Sequence, residues 1–354
     1  MKLVVSFIIY ISSFLVLHFV IDDIEFSSLE NRTLAQVGDD FETYFADQFP
    51  FRNTFIALKS STELVLKKTD NNGVFIGDDG YFLDKFGEVD ESLMYRNIDY
   101  ISNFGQSLNT YLLIAPTSTL ILQEKLPLYA PTFDELQFID TYYEGVEGSV
   151  TTVDVVNTLK TNDSEYIYYK TDHHWTTLGA YYAYVEFCEA YGLEATSLGQ
   201  MDRQVVSESF YGTLFSKGNF VFAEPDTVEI FTPIKPEGVT VTYVLDNIVT
   251  NSVYEMSHAD EKDVYSIFFD NNHPLVIVET EVQTDNKLII LKDSYANCFI
   301  PFLLPHFSEI HILDLRFLNI RIADYAREQQ IEDVLLLYNT NNFAVENKFS
   351  LLGQ

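Results

Sequence analysis

The chain has 354 residues, of which 47% are hydrophobic and 15% aromatic, enough to bury the core of one large domain or two ordinary ones. Asp and Glu number 53 against 21 Lys and Arg, so the formal net charge is −32. A negative field of this size repels phosphate backbones and anionic lipid headgroups, and we therefore expect no nucleic-acid partner.

The N-terminus carries an uncharged apolar run, LVVSFIIYISSFLVLHFV, over residues 3–20. A helix of this length just crosses a bilayer. Lys2 precedes the run and acidic residues follow it, so the positive-inside bias places the start of the chain in the cytoplasm. A cleaved signal peptide is the alternative, but HFVIDDIEF lacks a small-x-small cleavage site. The sequence predicts a single-pass anchor over residues 1–21 in the cell membrane, with the C-terminal domain extracellular.

Residues 22–70 are predicted to form a helical stalk that leads into the folded domain. Apolar spacing at Phe41 and Phe45 predicts a first helix, Pro50 interrupts it, and amphipathic spacing predicts a second helix after the proline. The stretch NNGVFIGDDGYFLDK then predicts a β-hairpin that turns around Gly77–Gly80.

Residues 71–354 show apolar strands and helices in succession. The run TYLLIAPTS predicts a buried strand that ends at its proline. The stretch DHHWTTLGAYYAYVEFCEAYG predicts a helix of about five turns, capped by Thr176 or Thr177 and ended by Gly192. Residues 220–282 are rich in β-prone runs and turns, and they are predicted to form an inserted or peripheral β region.

The C-terminal part gives the clearest pattern. NKLIILK, EIHILDLR and IEDVLLLYN are predicted strands, and DSYANCFIPFLLPHF and FLNIRIADYAREQQ are predicted helices between them. This alternation indicates a parallel sheet covered on both faces, and ligands of such sheets bind at the C-terminal ends of the strands. The polar residues predicted to lie there are Asp293, Ser294, Arg316, Asn339, Asn341 and Asn342.

Ser294 directly follows one of these strands and precedes a predicted helix. Its hydroxyl is therefore expected at the mouth of the sheet, where the N–H groups of a helix N-terminus stabilise an anion. A nucleophilic serine needs this placement, because the oxyanion of a tetrahedral intermediate forms beside it. The alternative is a serine that only caps the helix, with Asp293 as its neighbour.

Asp172 and His174 lie two residues apart in YKTDHHWTTLGAYY, just before the predicted helix. In an extended segment, residues i and i+2 face the same side, so the carboxylate would orient the imidazole while the other ring nitrogen takes a proton from a hydroxyl. His173 would then point the other way and serve the structure, and Trp175 would pack beneath the loop. The alternative is a polar loop whose side chains satisfy one another.

The Asp-His-His triplet also suggests a metal site, because it is the hallmark of the DHH phosphoesterases. Those proteins need further His and Asp ligands upstream, whereas the one histidine before His173 is His18, inside the apolar N-terminal run. A lone metal held with one of the four later histidines stays open, although no spacing indicates it. We expect no metal and no organic cofactor.

TDHHWTTLGAYYAY, followed by LLKDSYANCFIPFLLPHFSEIHILDLR, resembles the DHHW protein family and, through it, the alginate O-acetyltransferase branch of the SGNH-hydrolase-like proteins. In that branch a D-x-H-W-T motif supplies Asp and His, and a later D-S motif at a strand-to-helix turn supplies the nucleophile. Asp172, His174 and Ser294 match these catalytic positions, and Arg316 matches a further active-site position. The resemblance implies a Rossmann-like, three-layer α/β catalytic domain of SGNH type over residues 71–354.

ENRTL, DQFPFR and FYGTLFS also resemble the family pattern, so the resemblance covers most of the chain after the apolar run. SGNH proteins use a glycine and an asparagine as oxyanion donors, and no motif places either of them here. Gly212 and Asn339 are the candidates for these donors, and Asp293 is a further candidate for substrate contact beside Ser294.

The resemblance implies an extracytoplasmic acyltransferase that O-acetylates a cell-surface or secreted polysaccharide, together with a membrane-bound partner that exports the acyl group. A carbohydrate esterase is one alternative, because transfer and hydrolysis differ only in water exclusion and acceptor binding. The other alternative, from a different class, is a non-catalytic glycan-binding or scaffold component of a polysaccharide export and modification complex.

Overall fold

The computed structural model describes residues 23–27, 32–218, 220, 222–233 and 238–353. The membrane anchor predicted over residues 1–21 lies outside these residues. Among the helices that are described, none combines the length and the apolar character needed to cross a bilayer.

The N-terminal region contains two helices, as the sequence predicts. A short antiparallel strand pair, β1 (Phe26–Ser27) and β2 (Arg32–Thr33), precedes α1 (Phe41–Asp47) and α2 (Arg52–Val65). Asp40 caps α1 by accepting a hydrogen bond from the Thr43 N–H at 3.1 Å. The helices are separate because Pro50 cannot continue the hydrogen-bond ladder of α1.

A small three-stranded antiparallel sheet follows α2. Its strands are β3 (Asp70–Asn71), β4 (Val74–Ile76) and β5 (Phe82–Asp84). β4 and β5 pair across the turn that contains Gly77–Gly80, so the predicted hairpin is confirmed.

The main body is a mixed α/β structure around an eight-stranded sheet. The further strands are β6 (Asn109–Ala115), β7 (Thr151–Thr152), β8 (Met201–Phe210), β9 (Asp226–Pro233), β10 (Val239–Tyr243), β11 (Ile248–Thr250), β12 (Leu275–Thr280), β13 (Lys287–Lys292), β14 (Glu309–Leu313) and β15 (Asp333–Asn339). The sheet has the order β11-β10-β12-β14-β13-β15-β6-β7, and the five strands from β14 to β7 are parallel. β12, β10 and β11 continue the sheet in antiparallel pairing, and β8 and β9 form a separate ribbon.

The remaining helices are α3 (Glu91–Gly105), α4 (Ser118–Ile121), α5 (Glu135–Gly145), α6 (Val156–Thr161), α7 (Thr177–Tyr191), α8 (Thr213–Gly218), α9 (Ile322–Gln329) and α10 (Thr340–Val345). The predicted α7 is confirmed. Thr176 caps it by accepting from the Gly179 N–H, and Gly192 ends it in the left-handed region, with φ at +87°, where glycine is not strained.

One predicted helix is wrong. DSYANCFIPFLLPHF contains only two short 3-10 turns, Ser294–Ala296 and Ile300–Leu303. Pro301 accounts for the difference, because it has no N–H to donate and its ring would collide with the carbonyl of Asn297 in an α-helix.

The core lies on both faces of the central sheet. Every side chain from Leu288 to Leu291 and from Val334 to Leu337 is buried, and successive side chains of a strand point to opposite faces. β13 pairs in parallel with both β14 and β15, so the predicted parallel pairing of the three C-terminal strands is confirmed, within a sheet that also has an antiparallel edge.

The C-terminal ends of three adjacent parallel strands meet at one edge of the sheet. Leu291 of β13 pairs with Leu313 of β14, so Ser294 and Arg316 each lie three residues beyond the same level. β15 is the neighbour of β13 on the other side, and Asn339 is its last residue. The polar residues predicted to converge at this edge do so.

Candidate active site

The loop that carries Asp172 and His174 is closed by its own backbone. Tyr168 and Trp175 form an isolated antiparallel bridge, and the Tyr169 N–H donates to the His174 carbonyl at 3.3 Å. Inside the loop, Asp172 Oδ1 accepts from the His174 N–H at 3.0 Å. This is an Asx-type turn, in which an aspartate side chain caps the backbone two residues on. The turn places the imidazole of His174 directly over the carboxylate.

Asp172, His174 and Ser294 form one continuous hydrogen-bond chain. His174 Nδ1 lies 2.5 Å from Asp172 Oδ1, and His174 Nε2 lies 2.7 Å from Ser294 Oγ. An ionised carboxylate can only accept, so Nδ1 carries the ring proton and Nε2 accepts from the serine hydroxyl. Asp172 and His174 are buried, whereas Ser294 is partly exposed. The structure thus brings together the three residues predicted to be catalytic, although Ser294 lies 120 residues beyond His174 in the sequence.

The second oxygen of Asp172 is held from the start of α8. Asp172 Oδ2 accepts from the Thr213 N–H at 2.7 Å and from the Thr213 hydroxyl at 3.0 Å. Gly212 allows this approach, because a Cβ at that position would lie 2.2 Å from the Asp172 Cβ. The Gly212 N–H donates to the Thr171 hydroxyl at 3.0 Å. The geometry therefore does not fit the predicted oxyanion role of Gly212 and instead gives it a part in orienting Asp172.

The electrostatic environment keeps Asp172 ionised and His174 neutral. Burial opposes ionisation of Asp172, but the charge of His173 and the hydrogen bond from His174 Nδ1 outweigh it and hold the pKa of the carboxyl well below its usual range. Burial, together with the positive charge of His173, lowers the pKa of His174 to about 4, against the opposing attraction of Asp172. A neutral imidazole with a free lone pair on Nε2 is the form that a general base requires.

The predicted orientation of His173 is wrong. Its ring centre lies 3.8 Å from that of His174 instead of pointing away, because the loop turns at this point and is not extended. His173 Nδ1 donates to the Thr213 hydroxyl at 2.6 Å, since that hydroxyl is itself donating to Asp172. Burial lowers the pKa of His173, but Asp172 and more distant carboxylates outweigh this and raise it overall.

Two tyrosines form the walls around His174. The ring of Tyr265 stacks on the imidazole at 3.8 Å and 11°, and its hydroxyl donates to the Ser294 carbonyl at 2.9 Å. The Tyr295 hydroxyl donates to the His173 carbonyl. Trp175 is buried beneath the loop, as predicted, and its Nε1–H donates to the Tyr295 carbonyl at 2.9 Å. These contacts join the Asp172 loop to the Ser294 turn.

Asp293 and Asn339 have structural contacts rather than the predicted substrate or oxyanion positions. Asp293 is buried, and its carboxylate accepts from the N–H groups of Tyr295 (2.9 Å) and Asn339 (2.8 Å) and from the Asn342 amide (2.7 Å). The Asn339 amide donates to the Ala115 carbonyl at 3.2 Å and accepts from the Asn341 N–H at 3.0 Å, so it caps α10. Both side chains fix the strand ends that carry Ser294.

The backbone N–H of Ser294 is a further candidate for the oxyanion donor. Within the described part of the chain, no group accepts a hydrogen bond from it. It begins the first 3-10 turn after β13, beside its own hydroxyl. An N–H in this place can donate to an oxygen bonded to the carbon that the hydroxyl attacks.

Arg316 lies at the same sheet edge, but its side chain is bound to Asp314, the residue directly after β14. Its Nε and Nη2 donate to Asp314 Oδ1 and Oδ2 at 2.9 and 2.6 Å. Lys292 Nζ lies 3.8 Å from the same carboxylate, and burial lowers the pKa of this lysine to about 8. No hydrogen bond joins Arg316 to Ser294, His174 or Asp172 in the residues described.

The one group of side chains spaced to hold a metal, among the residues that the structure describes, is Asp172 with His173 and His174. The four hydrogen bonds to the Asp172 carboxylate come from the His174 N–H, His174 Nδ1, the Thr213 N–H and the Thr213 hydroxyl. His174 Nδ1 carries a proton in this arrangement and has no lone pair for a metal. The geometry therefore fits hydrogen bonding within the site better than metal ligation.

Sequence reasoning missed Thr213 and Tyr265. FYGTLFS resembles the family pattern, and Thr213 follows Gly212 within it, so a signal for Thr213 was present. Tyr265 lies in a 3-10 turn, Val264–Ile267, that lacks the spacing of a helix or strand. Its position over His174 depends entirely on tertiary contacts.

The fold and site define an α/β protein with a serine at a strand-to-turn junction, paired with a histidine and an aspartate from a tight loop. The model of the DHHW protein family matches residues 110–313, more than half of the chain. The chain belongs to the DHHW protein family, as the motifs predicted.

Three solved structures illustrate the similarity. A DHHW family protein from Eubacterium siraeum is 26% identical with a TM-score of 0.68, over 80% of this chain and 95% of that one. Bacillus cereus PatB1, solved with a sulfonyl adduct, is 21% identical with a TM-score of 0.67, over 78% and 98%. The O-acetyltransferase domain of Pseudomonas putida AlgJ is 15% identical with a TM-score of 0.51, over 79% and 95%. No curated protein matches the chain.

Proposed function

We propose that this protein is an acyltransferase that moves an acetyl group to a hydroxyl of a cell-surface or secreted polysaccharide. The hydrogen-bond chain from Asp172 through His174 to Ser294 carries the proposal. It supplies a nucleophile, a neutral base and a buried carboxylate that holds the base in the required tautomer. The similarity to an O-acetyltransferase domain supports the acetyl group as the cargo.

In the first half-reaction, Ser294 Oγ bonds to the carbonyl carbon of the donor while His174 Nε2 takes the hydroxyl proton. The Ser294 N–H donates to the oxyanion of the tetrahedral intermediate. The bond to the leaving group then breaks, and His174 returns the proton to that group. In the second half-reaction, His174 Nε2 removes a proton from an acceptor hydroxyl, whose oxygen attacks the carbonyl carbon of the acyl-serine. The bond from that carbon to Ser294 Oγ then breaks, and His174 returns the proton to Oγ.

The edge of the sheet suits a hydroxyl-rich acceptor. Ser294 is partly exposed, and Asn341, which follows β15 at the same sheet edge, donates from its amide to Asp84 Oδ2 at 3.3 Å. Arg316 adds a guanidinium that retains donors beyond its two bonds to Asp314. Amide, carboxylate and guanidinium groups are hydrogen-bonding partners for sugar hydroxyls.

A carbohydrate esterase is the second candidate, favoured by the partial exposure of Ser294, which admits water. A non-catalytic scaffold is less well supported, because a binding role does not need the proton path from Ser294 to His174.

The two catalytic candidates differ in the fate of the acyl-serine. We expect the protein to release nitrophenol from nitrophenyl acetate and, when oligosaccharides are present, to form acetylated sugar at the expense of free acetate. Mass spectrometry of the sugar and an acetate assay measure this partition. Acetate release unaffected by every acceptor would instead support the esterase, and the absence of turnover with any ester would favour the scaffold.

His173→Gln is expected to shift the acid limb of the pH profile to higher pH. Activity is lost as pH falls through the pKa of His174, about 4, because a protonated Nε2 cannot accept the serine proton. His173 is charged in that range, and its charge lowers the pKa of His174; glutamine removes the charge, so the pKa of His174 rises. The measurement is kcat/KM for ester hydrolysis against pH.

His258→Gln is the control for this shift. Burial lowers the pKa of His258, but its contacts with Asp270 and Glu261 outweigh burial and raise it, as in His173. These contacts lie outside the site. We expect its acid limb to match the wild type. An equal shift in both variants, or none in His173→Gln, would contradict the electrostatic account of the pair.

We also propose that the domain over residues 71–354 works outside the cell, anchored through residues 1–21 and the stalk over residues 22–70. A membrane-bound partner would then deliver the acyl group across the membrane, since acetyl donors are made in the cytoplasm. The net charge of −32 suits a soluble domain on an exposed surface.

A further inference from the structure

Helix α2 presents its apolar side chains to solvent. Phe51, immediately before the helix, is 59% exposed, Leu58 is 61%, Val65 is 81% and Leu66 is 75%. Leu58 and Val65 are seven residues apart, close to two turns, so they lie on one face of the helix, and Phe51 precedes its first turn. A surface helix of a globular protein normally turns this face inward.

The inward side of α2 is held to the body of the protein by polar contacts. Ser60 is only 5% exposed, and its hydroxyl accepts from the Asn71 amide at 3.4 Å. The Asn71 amide also donates to the Gly218 carbonyl at 2.9 Å, and Lys59 Nζ lies 3.4 Å from the Asn71 side-chain oxygen. The outward direction of the apolar face is therefore set by the fold.

The charge of this segment is opposite to that of the whole chain. Residues 52–68 contain four basic residues against one acidic residue, a local charge of +3 in a protein of net charge −32. The basic residues are Arg52, Lys59, Lys67 and Lys68, and the acidic one is Glu63. The Debye length at physiological ionic strength is about 8 Å, so a surface in contact with α2 responds mainly to these nearby charges and to Asp47, which lies 3.6 Å from Arg52 and offsets its charge.

We propose that α2 lies in the surface of a bilayer that contains anionic phospholipid, with Phe51, Leu58, Val65 and Leu66 in the acyl boundary. An exposed apolar face flanked by lysines is the arrangement of interfacial helices, whose apolar side enters the headgroup region. Lipid is favoured over a second copy of the chain docked through the same face, because two α2 helices would bring their lysines together, whereas these lysines attract anionic headgroups. The inference does not depend on the proposed enzymatic function.

The placement has a consequence for the site. Asn71, which holds α2, belongs to the same small sheet as Asp84, and Asp84 bonds to Asn341 at the edge that carries Ser294. The interfacial helix and the sheet edge of the candidate active site are thus both in contact with the same three-stranded sheet.

The test uses Leu58→Trp in the full chain, reconstituted in vesicles of phosphatidylglycerol with or without bromine on the acyl chains. Trp175 is the one native tryptophan and is buried, so it gives a constant background. Val249→Trp, at an exposed position on β11, is the matched control. We expect brominated lipid to lower the added emission of Leu58→Trp at least about twofold, because an interfacial apolar face reaches about 5–10 Å into the bilayer, and to leave Val249→Trp unchanged.

Adding Lys67→Glu and Lys68→Glu to Leu58→Trp should reduce this quenching. Such a reduction would show that the lysines attract the anionic headgroups. Quenching of Leu58→Trp no greater than that of Val249→Trp would overturn the proposal. So would a lipid-independent blue shift of Leu58→Trp that grows with protein concentration, since it would show that a second copy covers the face. A circular dichroism spectrum that matches the wild type establishes that each variant is folded.

Discussion

Ser294→Ala is expected to abolish both acyl transfer and ester hydrolysis, with kcat falling at least about 10⁴-fold. Alanine has no hydroxyl oxygen to form the acyl-enzyme. No oxyanion then develops beside the backbone N–H at position 294. The fold should survive, because the hydroxyl makes one hydrogen bond, to His174, and removal of a typical hydrogen bond costs about 1 kcal/mol. Nitrophenyl acetate turnover and a thermal unfolding curve on the same sample measure the two effects.

Ser266→Ala is the matched control. Ser266 is a buried serine beside Tyr265, and its hydroxyl donates to Asp263 at 2.8 Å, outside the hydrogen-bond chain of the site. We expect it to lose a similar amount of stability and to keep its activity. Comparable activity of Ser294→Ala and the wild type would remove Ser294 from the reaction.

Asp172→Asn is expected to lower kcat by about 10⁴-fold. Each carboxylate oxygen faces a backbone donor, the His174 N–H on one side and the Thr213 N–H on the other. The amide NH₂ must therefore face one of them, whichever way the asparagine is turned. If it faces His174 it donates to Nδ1, the ring proton moves to Nε2, and Nε2 can no longer accept from Ser294.

Asp226→Asn separates this tautomer effect from a general loss of loop stability. Asp226 is also buried, and it accepts from the Lys170 and Thr171 N–H groups at 2.8 and 2.7 Å, in the same loop but away from His174. We expect it to destabilise the protein and to lower kcat much less than Asp172→Asn. If both variants lost the same activity, Asp172 would be acting only as a loop support.

The sequence predicted the pairing of Asp172 with His174 correctly, but the structure brings them together for a different physical reason. Two-residue spacing suggested an extended segment, whereas the structure has an Asx turn, in which the carboxylate caps the His174 N–H. The two geometries agree for His174 and differ for His173, and the orientation of His173 was therefore predicted wrongly. A local hydrogen bond decided the result, and residue spacing does not reveal such a bond.

The position of Ser294 was predictable because it depends on a strand of unbroken apolar residues and on the rule that ligands bind at the C-terminal ends of parallel strands. The groups that surround Ser294 and its partners were harder to predict from the sequence. Tyr265 reaches His174 from a 3-10 turn between β11 and β12, and Gly212 approaches Asp172 from the end of the β8 ribbon. Both depend on how distant segments pack, which local sequence patterns do not encode.

The most direct test of the account is covalent labelling with methanesulfonyl fluoride. Ser294 Oγ should attack the sulfur, fluoride should leave, and the hydroxyl proton should pass to His174. Intact mass and peptide mapping should then find one sulfonyl group per chain on Ser294, none in Ser294→Ala, and much slower labelling in Asp172→Asn. Ester turnover by a protein in which Ser294 stays unlabelled, or labelling of Ser294 at the same rate in Asp172→Asn, would contradict it.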